Sequence, residues 1–204
     1  MIAIIDYGLG NVRAFANIYR RLGIEAILAR SAGDLDGASH IVLPGVGAFD
    51  WAMSRLDRSG MRVALDDLVL RQGKPALGVC VGMQMMAQRS DEGQVPGLGW
   101  FEAEVRRFDP EHFEGPACLP HMGWNSVEPC RTSRLLGELG NDARFYFLHS
   151  YFFSPEREED TLATTIYGSR FACVVQKGNI FGVQFHPEKS HQWGVRLLQN
   201  FAGL

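Results

Sequence analysis

The chain has 204 residues, 46% of them apolar and 21% charged, with a net charge of −3. That make-up suits one soluble globular domain spanning 1–204, and its weak acidity gives no footing to nucleic acid or to an anionic bilayer. No stretch approaches the roughly eighteen apolar residues of a membrane span, and the run before Asp6 lacks the length and basic lead of a signal peptide, so the cytoplasm is the expected compartment.

In chain order, residues 2–6 read as a buried strand. Gly8 and Gly10 turn the chain, and Val12, Phe15, Tyr19 and Leu22 then recur at helical spacing up to a stop at Gly23. Residues 25–28 and 40–43 are the next strands, 61–71 a helix closed by Gly73, 75–79 a fourth strand and 81–89 a further helix. Beyond residue 100 the pattern changes to aromatic and β-branched runs at 101–108, 125–129, 145–153, 161–167, 171–176 and 180–185. Hairpin signals stand at Tyr167-Gly168-Ser169 and Lys177-Gly178-Asn179, and 195–201 closes the chain as a helix. The expected fold is α/β: an open, mainly parallel sheet flanked by helices, with mixed or antiparallel strands in the C-terminal half. Neither a linker nor a repeat is visible.

The four cysteines, Cys80, Cys118, Cys130 and Cys173, form no C-x-x-C pair, so neither a disulfide framework nor a structural zinc site is expected. Taken singly, each reads as a small buried hydrophobe. Cys80 has distinctive surroundings: the strand at 75–79 runs through Gly78-Val79-Cys80-Val81-Gly82 into a helix. A nucleophile elbow needs this order, with glycines where the sharp turn leaves no room for a Cβ. The turn would lift the sulfur to a helix N-terminus, where the dipole and free N–H groups favour an anion. An inert strand–helix turn is the alternative.

A nucleophilic cysteine needs an imidazole, and the imidazole needs an orienting partner. Six histidines are available. His186 is singled out by Gly182-Val183-Gln184-Phe185-His186-Pro187-Glu188, which places it at the C-terminal end of a strand. Glu188, two residues on, can project beside it and take its second N–H. A surface turn after a strand is the alternative.

The order Cys80, His186, Glu188, with H-P-E about a hundred residues downstream of the elbow, resembles the class I (triad-type) glutamine amidotransferases. Within that family the chain is similar to the glutaminase subunits of imidazole glycerol phosphate synthases. The likeness rests on Asp6-Tyr7-Gly8-x-Gly10-Asn11, PGVGAF at 44–49, Pro120-His121-Met122-Gly123-Trp124-Asn125, Phe147-Leu148-His149-Ser150-Tyr151 and the segment 182–190, and runs from residue 2 to about 202. The resemblance implies an oxyanion hole from the backbone N–H groups of Gly45, Val46, Gly47 and Val81. It implies that Gln84, His149, Ser150 and Tyr151 hold the amino-acid end of glutamine. Asn11, His121, Met122, Trp124, Asn125 and Lys189 would lie at or near the contact with a partner, a (β/α)8-barrel cyclase that uses the ammonia to make imidazole glycerol phosphate and the aminoimidazole carboxamide ribotide in histidine biosynthesis. Neither cofactor nor metal is implied.

Val81, where leucine is usual, and Ser190-His191-Gln192-Trp193-Gly194 are similar instead to a branch that supplies ammonia for amidinating surface-polysaccharide sugars. A catalytically silent binding subunit and a stand-alone γ-glutamyl cysteine hydrolase are the remaining readings. A dinucleotide binder is disfavoured, because Arg13 stands where the last glycine of G-x-G-x-x-G belongs. A His-based metal hydrolase is disfavoured too, because no H-x-x-x-H occurs. Size points to a separate acceptor protein, since the glutaminase uses the chain and no ATP-binding P-loop is present.

Overall fold

Ile2, Ala3, Ile4 and Ile5 are all buried, as are all five residues of the strand ending at Cys80. Strands apolar on both faces are stable only between two layers of helices. In the computed structural model, which describes residues 1–113, 118–140 and 142–204, the first half winds accordingly. It runs β1 (Ile2–Ile5), α1 (Val12–Arg21), β2 (Ala26–Ala29), β3 (His40–Gly45), α2 (Phe49–Arg58), α3 (Arg62–Asp66), β4 (Ala76–Cys80) and α4 (Val81–Met85). The second half supplies β5 (Arg89–Ser90), β6 (Ala103–Arg107), β7 (His121–Ser126), β8 (Glu128–Pro129), β9 (Arg144–His149) and β10 (Tyr151–Pro155). It ends with β11 (Thr161–Tyr167), β12 (Ser169–Lys177), β13 (Ile180–Val183) and α5 (His191–Ala202).

The main sheet runs β2-β1-β3-β4-β13-β12-β11-β8. The pairings from β2 across to β13 are parallel; β12, β11 and β8 are added antiparallel. This is the mainly parallel α/β sheet with antiparallel C-terminal additions that the patterning predicts. Two small sheets, β7-β9 and β10-β6-β5, stand beside it.

Several boundaries differ from the expected ones, each for a local reason. The helix predicted at 81–89 stops at Met85, because Leu98 N donates to Met85 O at 2.7 Å and Phe101 N to Met86 O at 3.1 Å. Those carbonyls are taken by a loop instead of by a continuing helical turn. The strand predicted at 145–153 is two strands divided at Ser150, β9 pairing with β7 and β10 with β6. The run predicted at 125–129 likewise splits between β7, which starts at His121, and β8, which joins β11. α2 had no counterpart among the predicted elements, although its buried Phe49, Ala52, Met53 and Leu56 follow helical spacing.

Candidate active site

β4 lies inside the parallel run, between β3 and β13, and delivers Cys80 at its C-terminal end. Cys80 adopts φ 55° and ψ −114°, a conformation rare for a residue with a Cβ and costing about 1–3 kcal/mol. Its neighbours make the turn possible. A Cβ on Gly82 would stand 1.9 Å from Leu43 O, and one on Gly78 would meet Met86, Gly82 O and Met83 at under 3 Å. Strained nucleophile turns of this kind place a reactive atom above a sheet edge.

The register Gly182↔Gly78 and Val183↔Val79 carries the end of β13 to the same edge. Beyond it, His186 N donates to Tyr146 O at 2.9 Å and Ser190 Oγ donates to His186 O at 2.6 Å, which fixes the backbone. The imidazole Nδ1 lies 3.0 Å from Glu188 Oε1, both side chains being almost wholly buried. Burial opposes a charged ring at His186. The hydrogen bonds and negative charges of Cys80 and Glu188 outweigh it, and the pKa is raised to about 10. The site thus favours an imidazolium beside the Cys80 sulfur, with Glu188 behind the ring. Glu188 Oε2 has no hydrogen-bond partner among the described residues, so this carboxylate is committed to His186 alone.

Cys80 and His186 open onto a cavity of about 310 Å³, which Val46, Gly47, Val81, Gln84, Ser150 and Lys189 also line, together with His149 and Tyr151. Val46 and Gly47 present the loop after β3, with Gly47 at φ +84°. Gly45 sits underneath as a spacer: a Cβ there would lie 2.3 Å from Gly82 N. Among the described residues, no turn, loop or side-chain acceptor takes the N–H of Val46 or Gly47, and Val81 N opens a helix, where donors are unpaired. Cys80 Sγ also contacts Leu148 O at 3.8 Å and Gln184 Nε2 at 3.9 Å.

Of the residues assigned to a partner contact, Met122 (64% exposed), Trp124 (37%), Asn11 and Lys189 are at the surface. His121 is not. It is 3% exposed, because alternation along β7 turns His121, Gly123 and Asn125 inward and Met122, Trp124 and Ser126 outward. Asn125, half-buried, donates to Ile166 O at 2.9 Å and faces His121. Two residues of the site had no part in the sequence reading. Glu92 lines the cavity and accepts from Phe49 N at 2.9 Å, the first residue of α2. Gln184, wholly buried, lies just past β13 and two residues before His186, and a buried polar side chain so near the imidazole is the signal that could have revealed it. For Glu92 no sequence signal exists. Among the described residues, no cluster of three or more His, Cys, Asp or Glu side chains could hold a metal ion.

A strained cysteine, a carboxylate-backed imidazole and free backbone donors around one cavity define a nucleophilic acyl-transfer site. Residues 3–203 match the family Glutamine amidotransferase class-I, and the chain belongs to that family. It is 56% identical over 203 residues to the imidazole glycerol phosphate synthase subunit HisH of Bdellovibrio bacteriovorus, covering 99% of each chain. It is 46% identical to the subunit of that name from Leptospira interrogans, covering 100% of both. Among solved structures, a glutamine amidotransferase superposes with a TM-score of 0.75 at 23% identity, over 100% of this chain and 99% of the other. PurLQS from Thermotoga maritima superposes with a TM-score of 0.74 at 15% identity, over 99% and 97%. Both likenesses concern the fold.

Proposed function

We propose that the whole chain, 1–204, is the glutaminase subunit of an imidazole glycerol phosphate synthase. It hydrolyses glutamine and passes the ammonia to a separate cyclase. What carries the reading is the placement of a buried, Glu188-backed His186 and an elbow-borne Cys80 on one cavity, in a chain that matches relatives of that name from end to end.

The chemistry follows from the groups in place. Cys80 gives its proton to His186, and the sulfur attacks the side-chain amide carbon of glutamine. The oxyanion so formed accepts from the N–H groups of Val46 or Gly47 and of Val81, each such donor being worth a few kcal/mol to the tetrahedral intermediate. His186 gives its proton to the amide nitrogen, ammonia departs, and a γ-glutamyl thioester remains. His186 then takes a proton from water, the resulting hydroxide cleaves the thioester, and glutamate leaves with the site restored. Glu188 keeps the ring oriented throughout. The Glu92 carboxylate at the cavity wall suits the α-ammonium of glutamine, and Ser150 and the Tyr151 backbone suit its polar end.

Ammonia released into water would be protonated and diluted, so a docked acceptor protein is the physical complement of this site. Met122, Trp124 and Leu148 form an exposed apolar group on β7 and β9, and Leu148 also lines the cavity. Such a patch at the rim is where a partner would close the exit. The family resemblance supports a (β/α)8-barrel cyclase as the partner and the cytoplasm as the compartment. The sugar-amidination and γ-glutamyl hydrolase readings gain nothing from relatives named HisH. The test is glutamate release by the chain with a barrel cyclase and its ribonucleotide ligand, in native, Cys80→Ala and Cys80→Ser forms. Activity confined to the native form, and raised by the partner, is expected. Native-rate hydrolysis by either variant would overturn the proposal.

A further inference from the structure

A continuous set of directional hydrogen bonds runs from β7 to the nucleophile. His149 Nδ1 is 2.7 Å from Tyr151 O. A carbonyl only accepts, so Nδ1 carries the proton and, in a neutral ring, Nε2 is bare. That bare nitrogen lies 3.0 Å from His121 Nδ1, which must therefore donate, leaving His121 Nε2 to accept from Asn125 Nδ2 at 3.3 Å. Asn125 is locked in turn, since its Nδ2 also donates to Ile166 O and its Oδ1 accepts from Ser126 N at 2.9 Å. Burial keeps both rings neutral, pushing His149 down to about 3 and His121 down to about 4. The His121 ring is held between Phe147 and Tyr167, stacked at 4.6 and 4.0 Å.

The same Tyr151 carbonyl takes a second hydrogen bond, from Gln84 Nε2 at 3.0 Å, and the other Gln84 N–H goes to Gln184 Oε1 at 3.1 Å. Both amide hydrogens of Gln84 are thus consumed by protein, and its Oε1 is left as the acceptor that a cavity-lining Gln84 offers a ligand. Gln184, its oxygen occupied, turns Nε2 toward Cys80 Sγ at 3.9 Å. Reversing Gln84 would set oxygen against oxygen at Tyr151. Reversing Gln184 as well would turn its oxygen, in place of the N–H donor, toward the Cys80 sulfur.

We propose that His121 and His149 are positioning residues which, through Tyr151 O, fix Gln84 as a hydrogen-bond acceptor toward the substrate and Gln184 as a donor toward the Cys80 sulfur. The ligand class this selects carries an N–H donor, either an ammonium or a primary amide, at the Gln84 position. The substrate half of the inference rests on the glutaminase reading above; the tautomers do not.

Two measurements test it. Long-range proton–nitrogen NMR on the full native chain with labelled imidazoles should find His121 and His149 both neutral and protonated at Nδ1 at neutral pH. Protonation at Nε2, or a charged ring, overturns the proposal whatever the activity. In the second, His121→Phe keeps an aromatic ring in the stack but removes the donor. The catalytic efficiency on glutamine should fall about tenfold, mostly through KM. Because His121 acts through Gln84, His121→Phe combined with Gln84→Ala should lose no more than the larger single loss, and His121→Gln, which can donate, should recover part of it. Strictly additive losses, or no recovery in His121→Gln, overturn it. A native chain lacking glutaminase activity with its partner would remove the functional reading, while the imidazole spectrum still decides the tautomers.

Discussion

His186 Nδ1 and Glu188 Oε1 lie 3.0 Å apart across a single intervening proline, in a pocket that leaves both side chains almost no contact with water. The stretch is not extended, as its spacing predicts, but a 3-10 turn, Pro187–Lys189, that follows His186 and carries Glu188 back beside the ring. Gly194, whose Cβ would meet Pro187 O at 1.8 Å, lets α5 close behind them. Replacing Glu188 by Gln keeps the volume and removes the charge that favours the imidazolium. Glutamine hydrolysis by Glu188→Gln is therefore expected to drop about a hundredfold in kcat with a small change in KM, measured by steady-state kinetics. Native kcat in that variant would contradict the orienting role.

The same pair predicts a pH signature in stability. The folded pKa of His186, about 10, lies above the value of about 6.5 for an unfolded chain. Its stabilising contribution is accordingly full below about pH 6.5 and is lost as the pH rises through about 10. The gap in melting temperature between the native protein and Glu188→Gln should be widest at about pH 6.5 and just below, and narrow as the pH rises from there through about 10. Calorimetry at several pH values checks this, and a constant gap contradicts it.

The elbow predicts two opposite glycine variants. Gly82→Ala drives a Cβ into Leu43 O and the backbone of β3, and should cost roughly 3 kcal/mol in denaturant unfolding. Gly47→Ala meets no atom within 4 Å and bears only the strain of φ +84°, about 1 kcal/mol. Its stability should thus change little while glutaminase activity falls, because the loop amide is tied to that backbone conformation. Equal destabilisation by the two would remove this account of the glycines.

At the surface, Trp124 stacks on His191 with centroids 5.1 Å apart and near-parallel rings, beside Met122 on the outward face of β7. Truncating an aromatic anchor typically costs an interface about 2 kcal/mol. Trp124→Ala should weaken cyclase binding about thirtyfold by calorimetric titration and leave the melting temperature nearly unchanged. Unaltered affinity would exclude Trp124 from the docking face.

Much of this site is legible in the sequence because its chemistry is carried by short local patterns. Gly78, Cys80 and Gly82 declare a strand–turn–helix, and His186 and Glu188 do pair as expected, though through a 3-10 turn and not along an extended segment. The remainder depends on contacts between distant segments. Glu92 follows a short edge strand, β5, and reaches the cavity only because α2 begins beside it at Phe49. His121 is placed by its motif at or near the partner contact, yet the pleat of β7 against β9 turns its side chain inward to His149. The break at Ser150, which sends β9 and β10 to different sheets, has no proline or glycine to announce it.

Everything rests on a covalent glutamyl intermediate at Cys80. The most direct measurement is mass spectrometry of the intact protein, quenched in acid while turning over glutamine with its cyclase partner, followed by peptide mapping. One added γ-glutamyl group on the peptide containing Cys80, absent from Cys80→Ala, is the predicted result. Steady glutamine hydrolysis with no such adduct and with Cys80→Ala fully active, or an adduct mapped to Cys118, Cys130 or Cys173, would contradict it.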